Sequence, residues 1–166
     1  VLGIFGRLSS DQEAIFDAIE SKYSKKPEGN EYNIFRHLTL SYIPNAKVSD
    51  IYTQILLLRD LKKFLPLKVK VKNVFIKQEE SMVGAEHIAI EFDTDDTYDI
   101  TNFIKSKIND SAVITSYIKL VWFVPRVYQD KVKEELSNIS ELEFADFYLV
   151  SNKQDEHNTI FRSSDF

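Results

Sequence analysis

The stretch Phe35-Arg36-His37-Leu38-Thr39-Leu40-Ser41 carries an imidazole and two hydroxyls at every second position. That spacing is the repeat of a β-strand, whose side chains point alternately to its two faces. A strand here presents Phe35, His37, Thr39 and Ser41 on one face and Ile34, Leu38, Leu40 and Tyr42 on the other. The second row suits burial, which leaves the imidazole and the hydroxyls side by side in a cleft. An imidazole takes up and releases a proton near neutral pH, and a hydroxyl can hold a phosphoryl oxygen. Chemistry of this kind needs a second set of groups facing the first.

Other chemistries have little to stand on. The chain has no cysteine, which excludes disulfides, thiolate metal sites and a cysteine nucleophile. It has only 4 glycines and no Gly-rich phosphate loop, and no Gly-x-Ser-x-Gly elbow occurs. Asp93, Asp95, Asp96 and Asp99 suit the start of a helix better than a metal loop. Neither a metal nor a cofactor is therefore expected.

Composition bounds the partners. The 166 residues are 43% hydrophobic and 28% charged, with 12 Phe and 8 Tyr, enough to build a core without covalent staples. The expectation is one domain spanning 1–166, divided into two lobes. Formal net charge is −5, whereas proteins that grip long duplex nucleic acid by counterion release are usually basic. A long duplex partner is excluded on that ground; a nucleotide or an RNA 3′ end is not. No apolar run approaches the roughly 20 residues that cross a bilayer. A cysteine-free chain also fits a reducing, cytoplasmic setting. Oligomeric state is not legible.

The elements that must position these residues read as follows. Val1 to Leu8 is a strand. A capping box at Ser10-Asp11-Gln12-Glu13 opens a helix with Ile15, Ala18 and Ile19 inward. A loop at Pro27-Glu28-Gly29-Asn30 precedes the His37 strand. Ser49 caps a second helix carrying Ile51, Ile55, Leu58 and Leu61, which stops before Pro66. Leu67 to Lys72 alternates strictly and is a half-buried strand. A hairpin connection at 79–84 returns as Glu86 to Phe92. Asp95 and Asp96 open a third helix, Ala112 to Val124 is a long strand, and a fourth helix begins near Pro125. Phe144 to Val150 is a strand, Lys153 to Asn158 a polar turn, and Thr159 to Arg162 the closing strand. The order is β-α-β-α-β-β-α-β-α-β-β, with a strand–helix echo at 34–64 and 112–138.

On these residues the chain resembles the 2H phosphoesterase superfamily, which includes bacterial 2′,5′-RNA ligase-like and eukaryotic cyclic phosphodiesterase proteins. His37-Leu38-Thr39-Leu40 matches the first His-x-Thr-x motif, and the element order follows the family over nearly the whole chain. The resemblance implies an α+β fold of two pseudo-symmetric lobes. Antiparallel sheets line a central cleft and helices lie outside. It also implies a second motif on the strand after the third helix. There the chain reads Ser116-Tyr117-Ile118-Lys119-Leu120, with tyrosine in place of the second histidine and lysine in place of the second threonine. His87-Ile88-Ala89-Ile90 falls before the third helix and reads as an ordinary sheet histidine. His157-Asn158-Thr159-Ile160 spells the motif in a polar turn, by coincidence.

The implied reaction opens a 2′,3′-cyclic phosphate or cleaves a 2′-5′ linkage without a metal. The resemblance assigns catalysis to His37, Thr39, Tyr117 and Lys119; shared strand faces and stacking aromatics add Phe35, Ser41, Thr115 and Tyr148 as candidate substrate contacts. His37 is the proton-transfer group, while a phenol at position 117 is a poor base but a possible proton donor. Losing one proton-transfer partner costs about 10²–10⁴ in rate. The alternatives are therefore a slow enzyme, an inactive nucleotide- or RNA-end-binding pseudoenzyme, or a protein-interaction domain. In the last, Trp122 or Phe123 would close the cleft.

Overall fold

The computed structural model describes residues 1–25, 36–78, 86–108, 114–153 and 156–166. Phe35, the loop at 27–30 and the hairpin connection at 79–84 lie outside the described residues. The strands are β1 Leu2–Leu8, β2 Leu38–Ile43, β3 Leu67–Lys77, β4 Glu86–Phe92, β5 Tyr117–Val124, β6 Glu141–Lys153 and β7 Glu156–Arg162. The helices are α1 Ser10–Tyr23, α2 Val48–Leu61, α3 Tyr98–Lys107 and α4 Gln129–Leu136. Their order is the one the residue pattern gives.

Every strand pair is antiparallel, and the strands form one seven-stranded sheet with the path β2-β1-β6-β3-β4-β5, while β7 pairs with β6. The fold is α+β. Strand β3 joins the two halves of the sheet. Its first residues, Leu67 to Lys70, pair with β6, and after a bulge between Val71 and Asn73 it pairs with β4. Alternation explains β3: Leu67 and Val69 are buried while Lys68 and Lys70 are exposed. The apolar rows of β1, β4, β5 and β6 meet the helices in one core that includes Ile4, Leu58, Ile90, Ile104 and Phe147. Burying such side chains contributes roughly 1.5–3 kcal/mol each. Among the described residues no helix is long and apolar enough to cross a membrane.

Four local expectations change. The cap of α1 is Ser9, whose Oγ accepts from the Gln12 N–H at 3.4 Å. Gln12 instead ties the helix to β6, donating to the Glu141 carbonyl at 2.8 Å and accepting from the Glu143 N–H at 2.7 Å. The inward row of α1 is Phe16, Ile19 and Tyr23, while Ile15 is 48% exposed, because the larger Phe16 ring takes the core position. Helix α2 starts two residues earlier than Ser49 implies: Lys47 is its cap, and the Lys47 N–H donates to Asp50 Oδ2 at 2.7 Å. Strands β6 and β7 run further toward each other than the polar-turn reading of Lys153 to Asn158 allows, with Lys153 opposite Glu156.

Candidate active site between the two sheet edges

Strands β2 and β5 lie at opposite ends of the sheet path. The sheet nevertheless brings their residues together, because one cleft is lined by His37, Thr39, Thr115, Tyr117, Ile118, Lys119 and Trp122. Its volume is about 100 Å³, against the ~300–1,000 Å³ typical of pockets that enclose a whole small molecule. A phosphate-sized group fits inside, and anything attached to it must extend over the rim. The cleft is open and lined by both polar and apolar groups; Trp122 forms part of its wall without filling it, which counts against the reading in which Trp122 or Phe123 closes it.

The β2 side is set by cross-strand pairing. Phe5 lies opposite Thr39, so the two share a face. The Phe5 ring packs on the His37 imidazole with centroids 4.5 Å apart, and Phe5 is buried. Strict alternation ends at Leu40. Thr39 pairs with Phe5 but Ser41 pairs with Ile4, so Leu40 is the extra residue of a bulge. The bulge turns Ser41 to the opposite face, where its hydroxyl donates to Gln54 Oε1 of α2 at 2.5 Å. Ser41 and Gln54 are both fully buried. The expectation of a substrate contact at Ser41 is thus corrected: its hydroxyl satisfies a buried amide.

The β5 side has Tyr117 opposite Glu91 and Lys119 opposite Ala89, which puts both on one face. Thr115 lines the cleft beside them and donates its hydroxyl to the Tyr117 carbonyl at 3.0 Å. Beyond Lys119 the register with β4 shifts twice, and Phe123 adopts φ 53°. Bulges re-aim side chains, and here Trp122 joins the cleft wall with the Lys119 ammonium 4.8 Å from its ring centroid. Behind Trp122 sits His87, centroids 4.3 Å apart. His87 is buried and its Nδ1 accepts from the Phe123 N–H at 3.2 Å, the role of a sheet histidine. His157 lies in β7 with its backbone opposite Asn152.

Tyr148 does not line the cleft. It is opposite Phe5 on the far side from Thr39, and the guanidinium groups of Arg7 and Arg162 lie 5.4 Å and 5.2 Å from its ring centroid. That packing corrects the expectation of a substrate contact in the cleft. Phe35 is outside the described residues. Among the described residues no group of three or more His, Cys, Asp or Glu side chains is arranged to hold a metal ion.

The residue that sequence reasoning passed over is Arg36. It is 3% exposed, and its Nε donates to the Leu120 carbonyl of β5 at 2.5 Å. Its terminal nitrogens meet Glu13 at 2.8 Å, Asp17 at 2.6 Å and Glu20 at 2.8 Å, all on α1. Glu20 in turn accepts from the Trp122 N–H at 3.0 Å. The cluster fastens the residue before His37 to α1 and to the strand carrying Lys119. Burial works against the Arg36 charge, but the hydrogen bond to Asp17 and the charges of Glu20 and Glu13 outweigh it and raise its pKa. Burial raises the Glu20 carboxyl above its ordinary 4.5, opposed by the Arg36 charge. The signal was present in the sequence: alternation puts Arg36 with Leu38 and Leu40, and a cation on an apolar face must be paired. Glu13, Asp17 and Glu20 lie one and two turns apart on α1.

The chain has the 2H phosphoesterase fold, as its likeness to solved structures shows. Escherichia coli LigT in apo form superposes with a TM-score of 0.56 at 12% identity, covering 97% of this chain and 94% of that one. LigT complexed with 3′-AMP gives 0.56 at 12% identity, with 97% and 95% covered. Kluyveromyces marxianus Usb1 gives 0.52 at 10% identity, with 96% of each chain covered. No curated protein matches the chain. A family model described as Alcohol acetyltransferase matches residues 4–145, and by sequence the chain belongs to that family. The family's name describes acyl transfer to an alcohol, and the fold is shared with LigT and Usb1.

Proposed function

We propose that the chain is a metal-independent 2H-type phosphoesterase that opens 2′,3′-cyclic phosphates or cleaves 2′-5′-linked oligonucleotides, at a rate reduced by its altered second half-site. The observation that carries this reading is the convergence of His37 and Thr39 with Thr115, Tyr117 and Lys119 on a cleft of phosphate size. The LigT structure with 3′-AMP supports a nucleotide as the ligand class. In the hydrolytic step the His37 imidazole takes a proton from water as the water oxygen bonds to phosphorus. The bond from phosphorus to one ribose oxygen breaks, and that oxygen takes the Tyr117 phenolic proton. The imidazolium then returns a proton to the tyrosinate through solvent. Lys119 and the Thr39 hydroxyl hold the non-bridging oxygens, where charge accumulates.

The test is incubation with 2′,3′-cyclic nucleotides and with 2′-5′ oligoadenylate. Turnover by the wild type above a His37→Ala control is expected; none rejects the enzyme reading. Saturable nucleotide binding without product identifies the binding-only pseudoenzyme.

The family match over residues 4–145 favours a second reading, acetyl transfer to an alcohol. There His37 takes the alcohol proton as its oxygen attacks a thioester carbonyl and the thiol leaves. A cleft of about 100 Å³ beside a lysine suits an anionic group better than an acyl donor. Acetyl ester formed from a thioester donor and a simple alcohol, lost in His37→Ala, would establish this reading instead.

A further inference from the structure

We propose that Trp122 is a specificity-determining wall, locked in place at one end of the cleft, that admits a phosphate carried by a single ribose and turns away a phosphate bridging two nucleosides. The inference rests on the phosphoesterase reading of the cleft and narrows its substrate to 2′,3′-cyclic phosphates over 2′-5′ linkages.

Two irregularities of β5 put the ring there. Ala89 of β4 is opposite Lys119 but Ile88 is opposite Val121, so Leu120 is an extra residue and the facing reverses after it. Val121 joins the core, and Trp122 takes the place on the cleft face that alternation would have given Val121. Glu86 is next opposite Val124, which leaves His87 as the single counterpart of Trp122 and Phe123. Phe123 closes this second bulge at φ 53°, in the left-handed region that favours glycine.

An unfavourable backbone persists only where its surroundings hold it. Here the backbone N–H and carbonyl of both residues are held. The Trp122 N–H donates to Glu20 Oε1 at 3.0 Å, and its carbonyl accepts from the Ser24 hydroxyl at 2.5 Å. The Phe123 N–H donates to His87 Nδ1 at 3.2 Å, and its carbonyl accepts from the Lys25 N–H at 2.9 Å. The Trp122 ring packs on the His87 ring behind it, and Trp122 is 7% exposed. The last turn of α1 and the His87 imidazole thus fix the wall from two sides.

The β5 lining runs from Thr115 through Tyr117 and Lys119 and ends at Trp122. The cleft holds the phosphate alone, so the phosphate's substituents must leave past its ends. In a 2′,3′-cyclic phosphate both ester oxygens belong to one ribose, and one way out is enough. A 2′-5′ linkage carries a nucleoside on each side of phosphorus and needs the Trp122 end as well.

The test compares kcat/KM for a 2′,3′-cyclic nucleotide and a 2′-5′ dinucleotide on the wild type, Trp122→Ala and Ser24→Ala, with circular dichroism checking that each variant folds. The wild type should prefer the cyclic substrate. Trp122→Ala should shift the ratio toward the dinucleotide by roughly 10- to 200-fold, the range that pocket size commands. Ser24→Ala removes one hydrogen bond from the lock and leaves every lining side chain in place; it should shift the ratio the same way by roughly 2- to 10-fold. A merely destabilising change would lower both substrates alike and leave the ratio alone. Where Trp122→Ala does not fold, Ser24→Ala decides. A wild type that takes the dinucleotide as well as the cyclic nucleotide, or a ratio unmoved in either folded variant, overturns the locked wall while leaving the cleft reading intact. If the wild type turns over neither substrate, the cleft reading falls and the wall with it.

Discussion

At the scale of single residues, the site is asymmetric. One half offers an imidazole and a hydroxyl, the other a phenol and an ammonium. His37→Ala should lower turnover of a 2′,3′-cyclic nucleotide by about 10²–10⁴, the usual contribution of one proton-transfer group. Steady-state kinetics checks this. Lys119→Ala should lower kcat and kcat/KM together, because the ammonium holds oxygens whose charge grows in the transition state.

At the scale of elements, the two half-sites are held in register by α1 through Arg36. Its guanidinium is 2% exposed and Glu20 is 11% exposed, so removing the cation strands buried carboxylate. Breaking such a cluster costs about 3–5 kcal/mol, and Arg36→Ala should show a loss of that order in urea unfolding. Glu20 gives the same cluster a pH signature. Its folded-state pKa is raised above 4.5 by burial, so the fold holds this proton more tightly than the unfolded chain does. Its contribution to stability is therefore full below the unfolded value and is lost as pH rises through the raised folded value. Glu20→Gln should flatten that part of the stability–pH curve, measured by urea midpoints from pH 4 upward. An unchanged curve would place the titration elsewhere.

At the scale of the whole molecule, a net charge of −5 and a sequence pI near 5.3 disfavour a broad nucleic-acid surface. Binding of a nucleotide that uses Lys119 should fall with salt at a log–log slope of about −0.7, the value for one contact. Titration from low to moderate salt measures it, and a slope several times steeper would mean a broader basic surface. Duplex RNA should not compete.

The order of strands and helices was legible because it rests on local signals. Alternation marks β3 and the row Ile88, Ile90 and Phe92 of β4, and the helical repeat marks Ile100 and Ile104 of α3. The facing of His37 and Thr39 was legible for the same reason. Ser41 was not, because one inserted residue at Leu40 reverses every side chain after it, and a bulge leaves no mark in composition. Tyr148 and Arg36 were misread or missed because their partners lie on other elements: Arg7 and Arg162 for one, and Glu13, Asp17, Glu20 and the Leu120 carbonyl for the other. By itself the sequence determined which groups share a strand face, since the side-chain period of two is a property of the backbone. Only the tertiary structure decided that the two end strands of one sheet meet across a cleft. That depends on sheet curvature, bulges and a buried ion cluster, which are sums over the whole chain and not properties of any segment.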